Sequence, residues 1–160
     1  MLTIRNEKER FIYRVAGIIY NKAKDKVLIH RAIWQDTWIL PGGRMSMGEN
    51  TLDGIKRELK EELGIINEKV ELKYIAESFF YLNNQKHHEL GFFYELIIDE
   101  KKYDLNKEGE FLGLEEDDQI FKWVLISDLD NYVFRPKKLK EMIKEVPEKL
   151  NHLIINDTIV

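Results

Sequence analysis

Two adjacent glycines and four glutamates share one short segment of the chain, LPGGRMSMGENTLDGIKRELKEELGI at residues 40–65. Glu58, Glu61 and Glu62 follow the spacing of one helix face, and Glu49 lies upstream of them. Like charges one helical turn apart repel by roughly 0.2–0.5 kcal/mol, and by more where water is scarce. Magnesium offsets this cost because it binds carboxylate oxygens together with water and substrate phosphate. The segment therefore predicts a divalent-metal site.

A helix from about Asn50 to Leu63 would give these acids one face. Placed at about 100° per residue, four apolar side chains fall within roughly 80° and predict a buried stripe: Leu52, Ile55, Leu59 and Leu63. Gly54 falls inside the acidic strip, where a larger side chain would intrude on the space above the acids. The alternative is a solvated acidic face with Lys56 and Lys60 as its ion-pair partners.

The spacing of the segment matches the pattern GX5EX7REUXEEXGU, in which U is a bulky aliphatic residue. Every defined position is filled: Gly43, Glu49, Arg57, Glu58, Leu59, Glu61, Glu62, Gly64 and Ile65. The segment thus resembles the Nudix box. The lead-in WILPGG, the strand-like VLIHRA and the later KWVLISDL are also similar to that family, so the resemblance covers residues 10–145.

The resemblance implies an α/β fold, a Nudix-type α/β/α sandwich around a mixed β-sheet with a catalytic loop-helix-loop. It also implies hydrolysis of a nucleoside diphosphate linked to another moiety, such as a nucleoside triphosphate or a dinucleoside polyphosphate. A non-catalytic Nudix-like nucleotide-binding or sensor module is the alternative. Such a module would usually have lost some of the acids, and all of them are present here.

Carried over position by position, the resemblance implies a Mg²⁺ or Mn²⁺ site. Glu58 and Glu62 look like the principal ligands, Glu61 like a further or water-mediated ligand, and the Gly42 carbonyl like another.

Arg57 counts among the catalytic positions, and the interpretation favoured here is structural: it pairs with Glu49 to hold the loop against the helix. Gly43 and Gly64 shape the two loops. The general base varies within the family, and the acidic run EEDD at 115–118 offers Glu116 as the leading candidate. A solvated acidic loop accounts for Glu116 equally well.

Three residues are candidates for substrate binding. Arg31 could reach a phosphate, although an arginine that ends a strand is often a surface residue. Tyr81 could stack on a base, although aromatic residues in strands usually pack in the core. His88 could face the cleft, but its neighbour His87 would then face the other way.

The positions of the prolines argue against two subclasses of the family. Prolines occur only at 41, 136 and 147, so the proline-containing signatures of ADP-ribose hydrolases and NADH hydrolases are missing. Tyr81 falls near a tyrosine that marks some dinucleoside-polyphosphate hydrolases, and nucleoside triphosphate clean-up stays equally open.

The types of residue and their periodicity predict the strands and helices that would position this segment. The stretches rich in β-branched and aromatic residues predict strands at residues 11–20, 26–32, 70–82, 87–98 and 119–126. A second helix is expected from about Pro136 through Val146, and the chain after Pro147 is ambiguous. With no linker-like stretch, we expect one domain over residues 1–160.

Composition excludes several classes of function. The chain has no cysteine, so disulfides, thiolate zinc sites and cysteine nucleophiles are excluded. A net charge of −4 and a pI of about 5.7 argue against generic nucleic-acid binding. No signal peptide or membrane span is expected, which favours a cytoplasmic protein with a nucleotide-derivative substrate. A homodimer is left open.

Overall fold

The computed structural model describes residues 2–157. Its centre is a mixed sheet whose strands run in the order β7-β8-β3-β2-β6-β5-β9, with β1 and β4 also paired to β2. The strands are β1 (Thr3–Arg5), β2 (Glu9–Tyr20), β3 (Lys26–Ala32), β4 (Gly42–Arg44), β5 (Glu71–Leu82), β6 (Gln85–Ile97), β7 (Glu110–Leu112), β8 (Gln119–Leu125) and β9 (Asn151–Asn156). The helices are α1 (Thr51–Leu63) and α2 (Leu139–Lys144), and 3-10 turns cover Glu100–Tyr103 and Ile126–Asn131.

Helices cover both faces of the sheet, which gives the expected α/β/α architecture. On one face, α1 packs its buried Ile55, Leu59 and Leu63 against Val15 of β2. On the other face, the buried side chains of α2 pack against the same sheet. The long parallel pairing of β2 with β6 runs from Glu9↔Lys86 to Tyr20↔Ile97 and forms the spine of the domain.

The five predicted strands and the first helix are all present. Asn50 caps α1 because its side chain accepts a hydrogen bond from the backbone N–H of Asp53 at 2.9 Å. Gly64 ends the helix in the left-handed conformation, with φ of 70°, which glycine adopts without strain. The helix boundaries follow directly from these two residues.

Two details of the predicted helix are wrong. Leu52 is 41% exposed, because Thr51 instead faces the sheet and its hydroxyl bonds to that of Tyr94 at 2.7 Å. Gly54 does not keep space open above the acids. A Cβ there would lie 2.9 Å from Cε of the fully buried Met45, so close packing accounts for this glycine.

The second helix is much shorter than predicted. It begins at Leu139 rather than near Pro136, and it ends at Lys144. The backbone N–H of Lys137 donates to the Asp157 side chain at 3.0 Å, which draws this part of the chain toward β9. The ambiguous tail after Pro147 contains β9, which pairs parallel to β5 along its whole length.

Candidate active site

The glycine pair forms the floor of the site. Gly42 and Gly43 belong to β4, which pairs antiparallel with β2 through Ala16↔Gly42 and Val15↔Gly43. A Cβ on Gly42 would lie 2.7 Å from the Cα of Ala16, and one on Gly43 would overlap the Glu58 carboxylate. Glycine at both positions is therefore required by the close approach of strand, loop and acid.

Arg14 holds the chain just before the two glycines. Its Nη2 donates to the carbonyl of Leu40 at 2.6 Å, just before Pro41. The Pro41 carbonyl in turn accepts from the Gly17 backbone N–H at 2.8 Å. A charged residue inside the apolar run FIYRVAGIIY was the sequence signal for Arg14, although it was not identified as part of the site.

Arg57 contacts three carboxylates. Its Nε and Nη2 bind the two oxygens of Glu49 at 2.6 and 3.0 Å, a bidentate pair. Its Nη1 donates to Glu58 at 2.7 Å and to Glu61 at 3.2 Å. Nη2 also reaches the Arg44 carbonyl at 3.3 Å. One guanidinium therefore ties the loop after β4 to the acidic face of α1.

The Arg57 contact has an electrostatic effect on Glu49. Hydrogen bonding to the guanidinium lowers the pKa of this carboxyl, and the Ser46 backbone N–H adds to the effect through a 3.2 Å bond. The same contacts raise the pKa of Arg57. Both groups are charged at neutral pH, so the pair persists over the physiological range.

A third acid joins Glu58 and Glu61, and it is Glu115 rather than Glu116. Oxygen atoms of Glu58, Glu61 and Glu115 all lie within 4.8 Å of one another. The backbone N–H of Leu114 donates to the Glu62 carbonyl at 2.9 Å, which docks this acidic loop on the end of α1.

Glu116 borders the same cleft, but its pKa is raised first by a hydrogen bond with Asp118 within its own loop. Its role as general base stays a prediction. Sequence reasoning could not separate Glu115 from Glu116, because they are adjacent residues of the same type.

Glu62 lies half-buried beside this group. Burial raises its pKa to about 8, and the neighbouring Glu58 contributes in the same direction. Arg14 opposes the shift without cancelling it. Negative charge is therefore unfavourable at Glu62 unless a cation is present.

His30 is a cleft residue that the sequence did not indicate. Its ring stacks on Phe121 with centroids 4.5 Å apart, and its Nε2 lies 2.6 Å from the Gln119 side chain. Burial and Arg14 lower the pKa of His30 to about 4, so the imidazole is neutral at neutral pH. Its Nδ1 is buried and has no hydrogen-bond partner among residues 2–157.

Arg31 is occupied by structural contacts. Its Nη1 donates to the carbonyls of Ile33 and Gln35 at 3.2 and 2.9 Å, and its Nη2 pairs with Glu110 at 3.1 Å. The guanidinium also lies over the Trp38 ring, 5.0 Å from its centroid. These contacts hold the loop after β3, so the Arg31 guanidinium is engaged with other groups of the protein.

Tyr81 and His88 do not meet the acids. The acid cleft, of about 320 Å³, is bordered by neither residue. Both border a separate cavity of about 620 Å³, where His88 stacks on Phe79 with centroids 4.5 Å apart. The two predicted substrate residues thus lie together, at the end of the sheet where β6 begins.

A second, narrow space adjoins the acid cleft and is called its extension here. Arg14 borders both the cleft and this extension, which is also lined by Phe80, Glu89 and Arg135. The Arg135 guanidinium lies over the Phe80 ring, 5.4 Å from its centroid. The volume of this extension is only about 30 Å³, room for about one water molecule, and Arg135 already covers the Phe80 ring.

The side chains suit a hard divalent cation. Carboxylate oxygens of Glu58, Glu61 and Glu62 border the cleft together with Gly42, and magnesium and manganese prefer oxygen ligands. The like charges are also only partly neutralised by Arg57, and Glu62 retains an unfavourable environment for its charged form. The donor set therefore fits a divalent metal.

Comparison with known proteins identifies the family. The model of the NUDIX domain matches residues 10–146, so the chain belongs to the Nudix family. It is 30% identical to an RNA pyrophosphohydrolase from Nitratiruptor over 87% of this chain and 97% of that protein. It is also 30% identical to an 8-oxo-dGTP diphosphatase from Buchnera aphidicola, over 75% of this chain and 82% of that protein.

The fold agrees with that assignment. A MutT protein from Bacillus halodurans superposes with a TM-score of 0.67 at 21% identity, covering 92% of this chain and 91% of that one. Two further curated relatives are matched over only 31% and 22% of their own lengths, so the chain spans less than a third of each. Within residues 2–157, no helix is long and apolar enough to cross a membrane.

The Arg57–Glu49 pair predicts energetic coupling. If the pair holds the loop, a double-mutant cycle of Arg57→Ala with Glu49→Ala should give a coupling free energy of about 1 kcal/mol or more in metal affinity. Isothermal titration with Mn²⁺ measures it. The control cycle combines Arg57→Ala with Lys60→Ala, whose side chain is exposed, and should be additive. Additivity in both cycles would reject the coupling.

The environment of Glu62 predicts a pH-dependent stability in the metal-free protein. The folded state keeps a proton on Glu62 up to about pH 8, whereas the unfolded chain releases it near 4.5. The free energy of unfolding should therefore fall as pH rises through this window. Glu62→Gln removes the effect.

With chelator present, we expect Glu62→Gln to melt about 2–4 °C above the parent protein at pH 8.5, which corresponds to about 1 kcal/mol. The difference should shrink toward zero at pH 4.5. The exposed Glu108→Gln serves as the control for loss of one charge. A gain of the same size at both pH values would contradict the interpretation.

Proposed function

We propose that this protein is a Mg²⁺- or Mn²⁺-dependent hydrolase of a nucleotide that carries a diphosphate bond. The observation that carries the proposal is the group of glutamates on α1, held by Arg57 beside the glycine floor. Glu58, Glu61 and Glu62 repel one another, and this repulsion lowers the stability of the protein unless a cation binds them. The family membership supports the same reaction class.

The chain would bind the metal through Glu58, Glu62 and the Gly42 carbonyl, with Glu61 as a further or water-mediated ligand. When bound, the metal would neutralise phosphate charge and lower the pKa of a coordinated water. Arg57 would act as a positioning residue, because its hydrogen bonds go to carboxylates of the protein.

In the proposed reaction, the oxygen of a water attacks one phosphorus of the diphosphate and the bridging P–O bond breaks. A general base takes the proton of the attacking water. We propose Glu115 for this role ahead of Glu116, because its oxygen lies within 4.8 Å of those of Glu58 and Glu61. Burial and the charges of those two glutamates also raise the pKa of Glu115, which favours proton uptake.

The acid cleft, of about 320 Å³, offers room for a diphosphate, and the names of the relatives support the choice of substrate class. Relatives named as an 8-oxo-dGTP diphosphatase and as an RNA pyrophosphohydrolase support two candidates, a nucleoside triphosphate and a 5′-triphosphorylated RNA. A non-catalytic nucleotide sensor would bind the same ligands without turnover.

The direct test is a screen of nucleoside triphosphates, dinucleoside polyphosphates and 5′-triphosphorylated RNA with Mg²⁺ or Mn²⁺, with released phosphate and nucleotides quantified. We expect metal-dependent turnover of at least one class and at least a hundredfold fall in kcat for Glu58→Gln, about 2.7 kcal/mol or more. The exposed Glu108→Gln should keep parental activity. Binding without turnover throughout the screen would reject the enzyme in favour of the sensor.

The choice of base has its own test, because Glu115 and Glu116 form a matched pair. Glu115→Gln should lower kcat by about 10²–10⁴-fold, the usual contribution of a general base. It should also abolish the acid limb of the pH–rate profile. Glu116→Gln should lower kcat by less than about fivefold and should keep the acid limb of the pH–rate profile. The reason is that Glu116 lies outside the group of close oxygens formed by Glu58, Glu61 and Glu115. The reverse ranking would restore Glu116 as the base.

A further inference from the structure

A row of aromatic side chains crosses the sheet where β6 begins. Direct pairing joins Ile4 of β1 to Phe11, Phe11 to His88, and His88 to Phe79. Directly paired residues on neighbouring strands project to the same side of a sheet. The rings also contact one another, since His88 stacks on Phe79 with centroids 4.5 Å apart and Phe11 meets His88 edge-on at 5.1 Å. Four strands therefore contribute to one continuous apolar and aromatic row.

A second row lies beside the first on the same face. Lys86 pairs directly with Glu9 and with Tyr81. Each of these three residues is two positions from a member of the first row, and side chains alternate along a strand. The Tyr81 side chain is 54% exposed, and Phe79 and His88 are half-buried. Ring surface is therefore open to solvent in both rows.

Both rows border the cavity of about 620 Å³, whose volume lies within the range of small-molecule sites. Helix α1 packs against the same face of β2 only further along the strand, at Val15. The cavity shares no lining residue with the acid cleft of about 320 Å³. It is therefore a separate space, and it is the larger of the two.

The charge around this cavity is positive, although the protein as a whole carries a net charge of −4. Arg5, Arg10 and Lys86 border it, and Glu9 is the one carboxylate that does so among the described residues. The Glu9 carboxylate already accepts a hydrogen bond from the Asn6 amide at 3.2 Å. Within residues 2–157, none of the three cations forms an ion pair. A concave site with unbalanced positive charge attracts an anion.

Aromatic surface and positive charge together select the class of ligand. Aromatic rings stack on nucleobases, and cations beside them bind phosphate, which is the combination that single-stranded nucleic acids require. A second copy of this chain fits less well. A two-fold contact centred on the cavity would bring the three cations of one copy toward the same three of the other. An uncharged apolar ligand would leave the cations unpaired.

We propose that this cavity binds one nucleotide. Its base would stack on Tyr81 and on the rings of Phe79 and His88, and its phosphate would lie at Lys86. The site is additional to the proposed reaction and independent of it, because the acid cleft contributes none of its lining. A free nucleotide and one unit of a single-stranded RNA carry the same base and phosphate, so the recognition chemistry is the same for both.

The test measures equilibrium binding by isothermal titration in the presence of chelator, so that no hydrolysis intervenes. It compares AMP with adenosine, which lacks the phosphate, and with ribose 5-phosphate, which lacks the base. We expect AMP to bind at least about tenfold more tightly than either, because stacking and charge-assisted hydrogen bonds both contribute to its affinity. Tetra-adenylate with a 5′-hydroxyl separates the two sources. Tighter binding than AMP identifies the RNA unit, and equal or weaker binding identifies the free nucleotide.

Two exposed residues of the cavity provide the variants. Tyr81→Leu should weaken AMP binding about fivefold to a hundredfold, the range for loss of one stacked ring. Lys86→Gln should weaken it about threefold to tenfold, since water partly screens the exposed ammonium, and should leave adenosine binding unchanged. The matched controls are Trp34→Leu, which removes a ring that is 68% exposed and does not border the cavity, and Lys149→Gln at another exposed position. Both controls should bind AMP like the parent protein.

Anomalous diffraction from a crystal soaked with 8-bromo-AMP and chelator locates the base directly, and the bromine peak should lie beside Tyr81 or Phe79. Equal affinity for AMP and ribose 5-phosphate would overturn the proposal. So would an equal loss of affinity in Tyr81→Leu and Trp34→Leu, or a bromine peak in the acid cleft alone.

These outcomes differ from failure of the proposed function, because the titration needs neither metal nor turnover. If the substrate screen shows no turnover while Tyr81-dependent binding of AMP persists, the enzyme assignment fails and the nucleotide site stands. If turnover occurs without that binding, only the nucleotide site is lost.

Discussion

The geometry of the site depends on the contacts of one guanidinium with three carboxylates. Arg57 forms two hydrogen bonds with Glu49 and one each with Glu58 and Glu61. Without it, the acidic face of α1 would carry adjacent like charges, and the loop after β4 would lose its connection to the helix. Because Glu49 uses both oxygens on Arg57, the loop after β4 is held against the acids. The pairing of β4 with β2 positions Gly42.

The sheet supplies the rest of this constraint. β4 is only three residues long, and its pairing with β2 brings Gly43 so close to Glu58 that no side chain could fit. Arg14 holds the residue that precedes Pro41 from the opposite face. Two arginines therefore hold the two ends of the segment from residue 40 to residue 49. Arg14 binds the Leu40 carbonyl, and Arg57 binds the Glu49 carboxylate. Glu58 and Glu61 each accept one hydrogen bond from Arg57, and both also border the cleft.

Local signals in the sequence predicted much of this arrangement. The bounds of α1 follow from the Asn50 cap and from Gly64, and the partnership of Arg57 with Glu49 was expected from the family resemblance. Contacts between distant segments could not be predicted in the same way. The choice between Glu115 and Glu116 depends on the bond from Leu114 to the end of α1, and Arg31 is held by loop carbonyls and Glu110. Strand alternation indicated that His87 and His88 face opposite ways, but not that both would border a cavity outside the acid cleft.

The central claim is that the carboxylates held by Arg57 form a divalent-metal site, and anomalous diffraction from crystals soaked in Mn²⁺ tests it most directly. An anomalous difference map collected near the manganese absorption edge should show a strong peak in contact with Glu58 and Glu62 and with the Gly42 carbonyl. Arg57 should keep its bidentate contact with Glu49 in the same crystal. A map with no peak in the cleft at saturating Mn²⁺, or with its only peak on the exposed acidic loop at 115–118, would contradict the account.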